Sequence, residues 1–543
     1  MLSTMPDFPL TIRHILEHGR DTYPDSVVVT ATRDSVRSID FGSLAARAAQ
    51  LANGLAGLGI GPGDRVGTFA WNAQEHQEAY LAVPCSGAVL HTVNIRLDPE
   101  HIAYIINHAE DRALLVDASL ASAIAPALPK LTTVEHLIVF GDGDRAGLPG
   151  AIEYEDLIDG RPTTFDWPDL PESAAAAMCY TSGTTGPPKG VVYSHRSTFL
   201  HSMGVSSGEA LGLNQHDRIL PVVPMFHGNA WGLPYACWMV GADLILPGAF
   251  ASPPRLAALI AGERVTMAAA VPTVWWDMLG LGRDALELSS LRMIMCGGAA
   301  VPRALIEAYQ EELGVRLVQG WGLTETSPVA SLAFAPKNVP SDRAMDLRAT
   351  AGQVLGGVEV RITGPDGEVL PRDGAAVGEI EVRGPWVTQA YYLDPTPDKF
   401  HDGWLRTGDV GSIDARGFVR ISDRAKDVVK SGGEWISSLE LEAALLEHPA
   451  VREVAVIAAP DQRWGERPLA CVVTTRGASV SPEELREFLT GKVARWWLPE
   501  HWTFIDEVPR TSVGKYDKKL LRSRLADGEL DVRAGGPAPG RGG

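Results

Sequence analysis

The short polar segment YTSGTTGPPKG at residues 180–190 carries residue types that bind phosphate. Gly183 and Gly186 permit backbone conformations in which successive N–H groups point at an anion. Its hydroxyl donors and its cation are Thr181, Ser182, Thr184, Thr185 and Lys189. It is not a Walker A loop, which needs glycine before the lysine and serine or threonine after it. A polar hairpin without a ligand is the alternative, and the lysine and proline positions favour phosphate binding.

A second candidate is the string QGWGLTETSP, in which Gly320 and Gly322 flank Trp321. This pattern predicts an exposed flat aromatic ring, followed by Glu325 in a loop. A carboxylate beside a phosphate site suits Mg²⁺, which takes oxygen ligands and commonly bridges substrate phosphates. The alternative is an ordinary solvated loop glutamate.

The string PMFHGNAWGLPYACW places His227, Trp231, Tyr235 and Trp238 at spacings of four, four and three residues. Such spacing predicts one helical face. A packed aromatic core and a ligand pocket both remain open as interpretations.

A further candidate is the string GGAAVP, which follows the apolar run MIMC. Small residues at a strand end let a flat ligand approach the backbone. A plain Gly-Gly turn would look the same.

Three strings towards the C-terminus add further candidates. In WLRTGD, Asp409 is predicted to follow a turn and could accept hydrogen bonds from ribose hydroxyls. The string DRAKDVVKSGGEW predicts a solvated joint and then a tight Ser-Gly-Gly turn, with a charged β-hairpin as the alternative. In VPRTSVGK, Lys515 follows a glycine, and a lone lysine of this kind is usually a solvated surface charge.

The elements that must position these residues alternate between helical and strand patterns. This alternation predicts a layered α/β domain. Helices are predicted at 41–58, 74–86 and 99–108, and strands at 64–70, 88–93, 218–223, 242–246, 267–271 and 293–296. After about residue 351, short strands between Gly/Pro/Asp turns predict a β-rich subdomain, at 358–362, 379–383 and 418–421. A compact α+β domain follows, with helices from 437 and over 481–493 and strands at 453–458 and 469–474.

Length and composition limit the function classes. The 543 residues suggest more than one domain, and the formal net charge of −19 opposes nonspecific binding to nucleic acid or anionic membrane. No apolar run is long enough to span a membrane and no signal-peptide pattern opens the chain, so no integral membrane segment is predicted. Five scattered cysteines without CxxC spacing indicate neither a zinc ribbon nor disulfides, which favours a cytoplasmic protein.

Taken in order, these strings resemble the adenylate-forming superfamily, which includes acyl-CoA synthetases, luciferases and peptide-synthetase adenylation domains. The resemblance spans about residues 64–515. It implies a large N-terminal domain at 1–423, a hinge at 424–428, a small mobile α+β domain at 429–526 and a disordered tail at 527–543. The family more often has tyrosine where Trp321 stands. The nucleotide site it implies comprises Thr181, Ser182, Gly183, Thr184, Thr185, Lys189, Gly298, Ala299, Gly320, Trp321, Gly322, Thr324, Asp409 and Arg424.

The same resemblance assigns the remaining roles. Lys515 is implied to stabilise charge on the ATP α-phosphate, and Lys426 to be the hinge. Mg²⁺ is implied at Glu325 and Thr184. The implied acyl site contains His227 beside the substrate carboxylate, Trp231 as a gate, and Gly297. The implied CoA-binding turn comprises Lys430, Ser431, Gly432, Gly433 and Trp435.

The expected function is an AMP-forming carboxylate–CoA ligase. A carboxylic acid, medium- to long-chain or bulky and hydrophobic, reacts with ATP to acyl-AMP, and CoA then takes the acyl group. Rotation of the small domain is expected between the two half-reactions. The alternatives are a same-fold enzyme that loads a carrier protein or performs one half-reaction, and a non-catalytic nucleotide sensor. A homodimer is expected from the resemblance.

Overall fold

The computed structural model describes residues 3–181, 187–364, 366–431, 434–510 and 516–534. For six of these residues it describes the backbone alone: Asp342, Pro397, Lys430, Glu434, Trp435 and Ala534. The chain forms two compact units, one of Met1–Glu359 with Val382–Leu405 and one of Val360–Glu381 with Arg406–Gly543. The β-rich segments that precede the predicted hinge therefore group with the C-terminal residues. The hinge itself stays a prediction.

The first unit contains a seven-stranded sheet whose strands are parallel except for the last pair. Its strand order is Ile152–Glu153, His136–Phe140, Asp111–Asp117, Arg65–Phe69, Val89–Thr92, Ala175–Tyr180 and Gly190–Ser194. The antiparallel edge pair encloses the candidate phosphate segment. A buried apolar cluster packs on this sheet and includes Val93, Ile105, Leu114 and Val116.

A second sheet of the same unit has a parallel centre and antiparallel strands at both ends. Its strand order is Gly352–Val354, Val329–Leu332, Leu317–Gly322, Met293–Gly297, Met267–Ala270, Arg218–Pro221, Asp243–Leu246, Val27–Ala31 and Val36–Asp40. Its parallel central strands are almost fully buried, as expected where both faces of a parallel sheet are covered.

Helices between these strands complete the layers. They span Ile12–Thr22, Phe41–Gly57, Gln74–Cys85, Pro99–Ala109, Ala121–Ile124, Tyr154–Ile158, His195–Ser206, Leu233–Val240, Pro253–Gly262, Pro272–Leu279, Arg303–Leu313 and Ser341–Arg348. Local chemistry sets several starts: the Asp98 carboxylate accepts from the first backbone N–H groups of its helix, and Pro99 occupies the first helical position. Among the described residues, none of the helices has the length and apolar character to cross a bilayer.

The second unit combines a β-rich part with a small α+β part. Strands of the first part lie in the order Glu359–Thr363, Gly378–Arg383, Trp404–Ile413 and Phe418–Arg424. The α+β sheet has the order Glu434–Ile436, Val429–Ser431, Gly465–Thr474, His501–Phe504 and Arg533–Ala534, with Val451–Asp461 also paired to Gly465–Thr474. Its helices are Ser438–Leu446, Pro482–Leu489 and Lys518–Ala526.

The predicted α/β class and the two-part organisation are confirmed. Most predicted element bounds differ by a few residues at most, and the largest shortfall is the helix predicted over 481–493, which ends at Leu489. Disorder predicted from 527 is wrong for the described residues up to 534, because Arg533–Ala534 pairs with the strand at His501–Phe504. The remainder of that tail lies outside the described residues.

Candidate active site

The candidate phosphate segment is anchored at both ends by an antiparallel strand pair. Tyr180 lies opposite Gly190 in the register. Just beyond, the Thr181 N–H donates to the Lys189 carbonyl at 2.9 Å, and the Lys189 N–H donates to Thr181 Oγ1 at 3.1 Å. The backbone on either side of the segment is therefore fixed by the sheet. The predicted ligands Ser182, Gly183, Thr184 and Thr185 lie outside the described residues.

The Lys189 ammonium is held by a segment that lies some two hundred positions later in the chain. Lys189 Nζ lies 2.9 Å from Asp394 Oδ2 and donates to Thr396 Oγ1 at 2.6 Å. It also lies 5.0 Å from the centre of the Tyr391 ring, within cation–π range. The Thr396 hydroxyl in turn donates to Asp394 Oδ1 at 2.6 Å. These contacts lower the pKa of Asp394, with the Thr396 hydrogen bond first and Lys189 second.

Glu325 is buried and not a solvated loop residue. It lies in the single turn Thr324–Thr326, and the Tyr391 hydroxyl donates to its Oε1 at 2.5 Å. Its own carbonyl accepts from the Thr388 N–H at 2.8 Å. Burial, reinforced by the Glu325 carboxylate, raises the pKa of Tyr391, so the phenol remains a donor. Tyr391 thus contacts both the candidate metal carboxylate and the candidate phosphate lysine.

The turn formed by residues 391–394 is tied to the strand pair. The Tyr392 N–H donates to the Gly190 carbonyl at 2.8 Å, directly after Lys189. Tyr391 and Asp394 form an antiparallel bridge, and Leu393 between them has a φ of 52°, a conformation that L-residues rarely adopt. Sequence analysis missed Tyr391, Asp394 and Thr396. The string YYLDPTPD signals only a turn, and nothing local links it to Lys189.

Glycines at the ends of two neighbouring parallel strands let the strand backbones approach each other closely, and the predicted approach of a flat ligand there stays a prediction. Gly297 lies opposite Gly320, and a Cβ on Gly297 would come within 2.6 Å of the Gly320 carbonyl oxygen. On Gly298 a Cβ would lie 3.3 Å from Val271 Cγ1 and 3.7 Å from the Trp231 ring. Ala299 follows as an exposed residue. The prediction of an exposed ring at Trp321 is wrong, since only 8% of the residue is accessible.

The expected helical face from His227 to Trp238 does not exist. Residues Gly228, Asn229, Ala230 and Trp231 have φ values of 51°, 49°, 48° and 59°, which is a left-handed turn. For residues with a Cβ this conformation costs roughly 1–2 kcal/mol each. The Asn229 Oδ1 accepts from the Tyr80 hydroxyl at 3.2 Å and from the Cys179 thiol at 3.3 Å, which holds the turn in place.

The left-handed turn divides the predicted aromatic stripe into two parts. Trp231 lies against Gly297 and Gly298 at the strand ends, and His227 is half-buried at the start of the turn. Tyr235 and Trp238 lie on the separate helix Leu233–Val240 as core residues. There the Trp238 Nε1–H donates to the Leu16 carbonyl at 3.1 Å. The core interpretation therefore applies to Tyr235 and Trp238, and the ligand-pocket interpretation of His227 and Trp231 stays a prediction.

In the second unit the two predicted ribose ligands are neighbours. Arg424 Nε lies 2.7 Å from Asp409 Oδ1, and the two residues are register partners. Asp409 lies within the strand Trp404–Ile413, so the prediction that it follows a turn is wrong. The sequence suggested a turn because glycine precedes Asp409. In the structure Gly408 does have a positive φ, of 75°, but it lies within the strand.

The segment predicted to be a solvated joint is partly buried. Lys426 is exposed, whereas Asp423 and Asp427 are buried. Asp423 accepts from the N–H groups of Arg424 at 2.7 Å and Ser438 at 2.5 Å. Asp427 pairs with Arg522 at 2.7 Å. The Asp423 contact holds the start of the helix Ser438–Leu446, and the Asp427 contact ties the segment to the helix Lys518–Ala526.

The predicted CoA turn and adenylation lysine are described only in part. Ser431 is buried and its hydroxyl accepts from Arg467 Nη1 at 3.1 Å. The side chains of Lys430 and Trp435 lie outside the described structure, as do Gly432, Gly433 and Lys515. Close by in sequence, Lys518 Nζ lies 2.6 Å from both Glu442 Oε1 and Ser438 Oγ. Burial raises the pKa of Glu442 to about 7.

Comparison with known proteins identifies the class of enzyme. The chain matches the AMP-binding enzyme family over residues 16–392 and the AMP-binding enzyme C-terminal domain over residues 440–515. It is 44% identical to a long-chain-fatty-acid–CoA ligase of Thermus thermophilus, covering 96% of this chain and 97% of that one. It is 41% identical to a 3-methylmercaptopropionyl-CoA ligase of Ruegeria lacuscaerulensis, covering 97% and 99%.

A solved structure shares the fold over nearly the whole chain. The anthranilate CoA ligase AuaEII, in complex with anthranoyl-AMP, superposes with a TM-score of 0.86 at 28% identity, covering 96% of this chain and 99% of that one. The chain therefore belongs to the AMP-binding enzyme family, the adenylate-forming superfamily. Within it, the protein is an AMP-forming carboxylate–CoA ligase, with a carboxylic acid, ATP and CoA as substrates.

Proposed function

We propose that this ligase activates a medium- to long-chain or bulky hydrophobic acid in two half-reactions at one site. The carboxylate attacks the ATP α-phosphate, giving acyl-AMP and releasing pyrophosphate. The CoA thiolate then attacks the acyl carbon, and AMP leaves. Positioning and charge neutralisation supply most of the catalysis in such phosphoryl chemistry.

One observation carries this proposal: a candidate phosphate lysine and a candidate metal carboxylate meet on one turn. Tyr391 contacts both Lys189 and Glu325, although these three residues lie far apart in sequence. Such convergence of a cation and a buried carboxylate supports a triphosphate site. Asp409 and Arg424 are proposed to bind ribose, and Gly298, Ala299, Gly320, Trp321, Gly322 and Thr324 to line the adenine side.

A magnesium ion fits the donor set that Glu325 offers. Among the described residues, no group of three His, Cys, Asp or Glu side chains could hold a metal alone. A single carboxylate suits an ion whose other ligands come from substrate phosphates and water, as is usual for Mg²⁺. Glu325, with Thr184 as a second proposed ligand, would hold it. When bound, the ion neutralises phosphate charge.

The acyl pocket is proposed to lie where Trp231 covers Gly297 and Gly298. Glycine is required at both positions, because a Cβ on Gly297 would meet the Gly320 carbonyl oxygen at 2.6 Å and one on Gly298 would meet Val271 at 3.3 Å. His227 is proposed to face the substrate carboxylate, and Gly228 avoids crowding against Pro328, which a Cβ would meet at 3.0 Å. One named relative is a ligase of long-chain fatty acids and the other a 3-methylmercaptopropionyl-CoA ligase. The chain length of the acid that this protein activates is therefore the property to measure.

Lys515, the turn at 430–435 and the hinge at Lys426 complete the proposal. Lys515 is proposed to act in adenylation and Lys430, Ser431, Gly432, Gly433 and Trp435 in CoA binding, in alternation as the small domain rotates. The sensor alternative is not retained, since the relatives are enzymes. A homodimer and a cytoplasmic location stay predictions.

A length series of straight-chain acids tests the acyl assignment. AMP and acyl-CoA are measured together for the wild type, for Trp231→Ala, and for Trp276→Ala, an exposed tryptophan that serves as the matched control. We expect wild-type kcat/KM to peak at eight or more carbons, on the order of a hundred- to a thousandfold above propionate, since five further buried methylenes at about 0.8 kcal/mol each contribute about 4 kcal/mol. Trp231→Ala should move this optimum, whereas Trp276→Ala should not.

Two outcomes would contradict the proposal. A preference for propionate-sized acids would exclude the long-chain assignment, and an unmoved optimum in Trp231→Ala would exclude the gate. Parallel assays separate the acceptor and half-reaction alternatives. Product formation with CoA but not with a phosphopantetheinylated carrier is expected, as is ATP–pyrophosphate exchange with free acid. Turnover of synthetic acyl-AMP alone would instead indicate a single half-reaction.

A further inference from the structure

We propose that Asp394 is a counter-ion placeholder for the ATP triphosphate, and that Lys189 exchanges this carboxylate for phosphate oxygens when ATP binds. The inference rests on the proposed function of Lys189 as a phosphate ligand. It adds Asp394 and Thr396 as positioning residues that act through that lysine. Neither is part of the sequence strings that indicate the nucleotide site.

The exposure of the pair makes the exchange feasible. The side chains of Lys189 and Asp394 are 30% and 35% accessible, so water already competes for both. Ion pairs of this kind are weak and exchange readily. A triphosphate offers the same ammonium more negative charge than one carboxylate does. The geometry therefore favours replacement of Asp394 by a polyanion rather than permanent pairing.

Thr396 gives the displaced carboxylate a partner that remains. Its hydroxyl donates to Asp394 Oδ1, while its oxygen accepts from Lys189 Nζ, so it bridges the two charges. When Lys189 turns to phosphate, the hydrogen bond to Asp394 can persist. Asp394 is then held at its own turn and not released towards the incoming phosphates, which would repel it.

The backbone around the pair confines the change to side chains. The Tyr392 N–H is bonded to the Gly190 carbonyl, one residue after Lys189, and the Thr181–Lys189 bonds fix the other side. The turn is also tight, with Leu393 at a φ of 52° and 70% accessible. This unfavourable conformation is held by the Tyr391–Asp394 bridge and by the Tyr392–Gly190 hydrogen bond on either side of it.

A double-mutant cycle on equilibrium ATP binding tests the placeholder. The dissociation constant of ATP, with Mg²⁺ and without acid or CoA, is measured by calorimetry for Asp394→Asn, Lys189→Met and the double variant. Asp346→Asn, which removes an equally negative charge from an exposed pair with Arg303, is the control. We expect Asp394→Asn to tighten ATP binding about two- to five-fold, the range of an exposed ion pair. In the Lys189→Met background the gain should vanish.

Each other outcome has a distinct meaning. An equal gain with and without Lys189 would show simple repulsion of ATP by Asp394 and overturn the placeholder. Weaker ATP binding in Asp394→Asn would show that the carboxylate preorganises Lys189, which also overturns it. Unchanged ATP binding in Lys189→Met would remove the nucleotide role of that lysine and with it the proposed site. Thr396→Val should weaken ATP binding where Thr396→Ser does not, and equal effects of the two would count against the bridge.

Discussion

Two lysine–carboxylate pairs in this ligase have the same chemistry and opposite settings. In the first unit, Lys189 lies 2.9 Å from Asp394, and both side chains are about one-third accessible. In the second unit, Lys518 lies 2.6 Å from Glu442, and both are below one-tenth accessible. Lys518 also donates to Ser438, while Glu442 accepts from the Val456 N–H at 2.7 Å.

The difference shows that accessibility, more than distance, decides what a lysine can do. The partners of Lys518 named above are buried residues of the same unit. Removing one charge of the pair would leave the other buried away from water. Around Lys189, solvent and a ligand can replace the protein partner. We therefore expect Lys518 to contribute mainly to stability, whereas Lys189, the proposed phosphate ligand, has a partner that solvent can replace.

The largest expected effect comes from removing each lysine in turn. Lys518→Met should destabilise the second unit by about 1–3 kcal/mol, because Glu442 and Ser438 lose their buried polar partner and Glu442 must take up a proton. Lys189→Met should change the free energy of unfolding by less than about 1 kcal/mol. Urea denaturation followed by tryptophan fluorescence measures both. Comparable losses for the two variants would break the contrast.

An intermediate effect concerns how buried titratable groups respond to pH. Burial lowers the pKa of His76 and His195 to about 4 and that of His201 to about 3. Each is neutral in the fold but takes a proton in the unfolded chain below 6.5. Their contribution to stability is therefore complete above pH 6.5 and is lost as pH falls, approaching about 1.4 kcal/mol per pH unit for each residue.

Glu442 should respond in the opposite direction. Its folded pKa of about 7 lies above its unfolded value, so its contribution is complete below about pH 4.5 and is lost as pH rises to 7. Melting temperatures between pH 7.5 and 5 measure both effects. His201→Gln should flatten the loss on acidification, and Glu442→Gln should steepen it. Changes of the same sign in both variants would refute this assignment.

The smallest expected effect tests whether Glu325, like Lys189, has a role in ligand binding and not only in stability. Tyr391→Phe removes the hydroxyl that donates to Glu325 and keeps the ring beside Lys189. We expect the Mg²⁺ concentration for half-maximal acyl-CoA formation to rise about two- to five-fold, since a lost hydrogen bond to a charged group costs on the order of 1 kcal/mol. Stability should change little. Tyr392→Phe is the control, and an equal shift there would exclude a specific role for Tyr391.

Much of the fold was readable because its signals are local. Apolar periodicity, glycine turns and the strings around Lys189 and Glu325 predicted the elements and their approximate ends. The small residues after the strand at 293–297 were also noted in the sequence, but the contact of Gly297 with the Gly320 backbone was not, because it joins two strands distant in sequence. Each signal that could be read depends on residues within one or two turns of chain.

What could not be read depends on contacts between distant segments. The left-handed turn at 228–231 includes Asn229, Ala230 and Trp231, and residues with a Cβ normally follow the helical pattern that their spacing suggested. Its Asn229 amide oxygen lies 3.2 Å from the Tyr80 hydroxyl and 3.3 Å from the Cys179 thiol, contacts with segments distant in sequence. Likewise, Asp394 and Thr396 contact Lys189 only because the fold brings two distant segments together. The residues around each segment give no sequence signal of this contact.

The left-handed turn links Trp231, the proposed acyl gate, to residues of the protein interior. The turn also holds Asn229, whose amide oxygen contacts Tyr80 and Cys179 in the interior. Substitutions at Tyr80 or Cys179 could therefore shift Trp231, the proposed gate, without changing that residue itself.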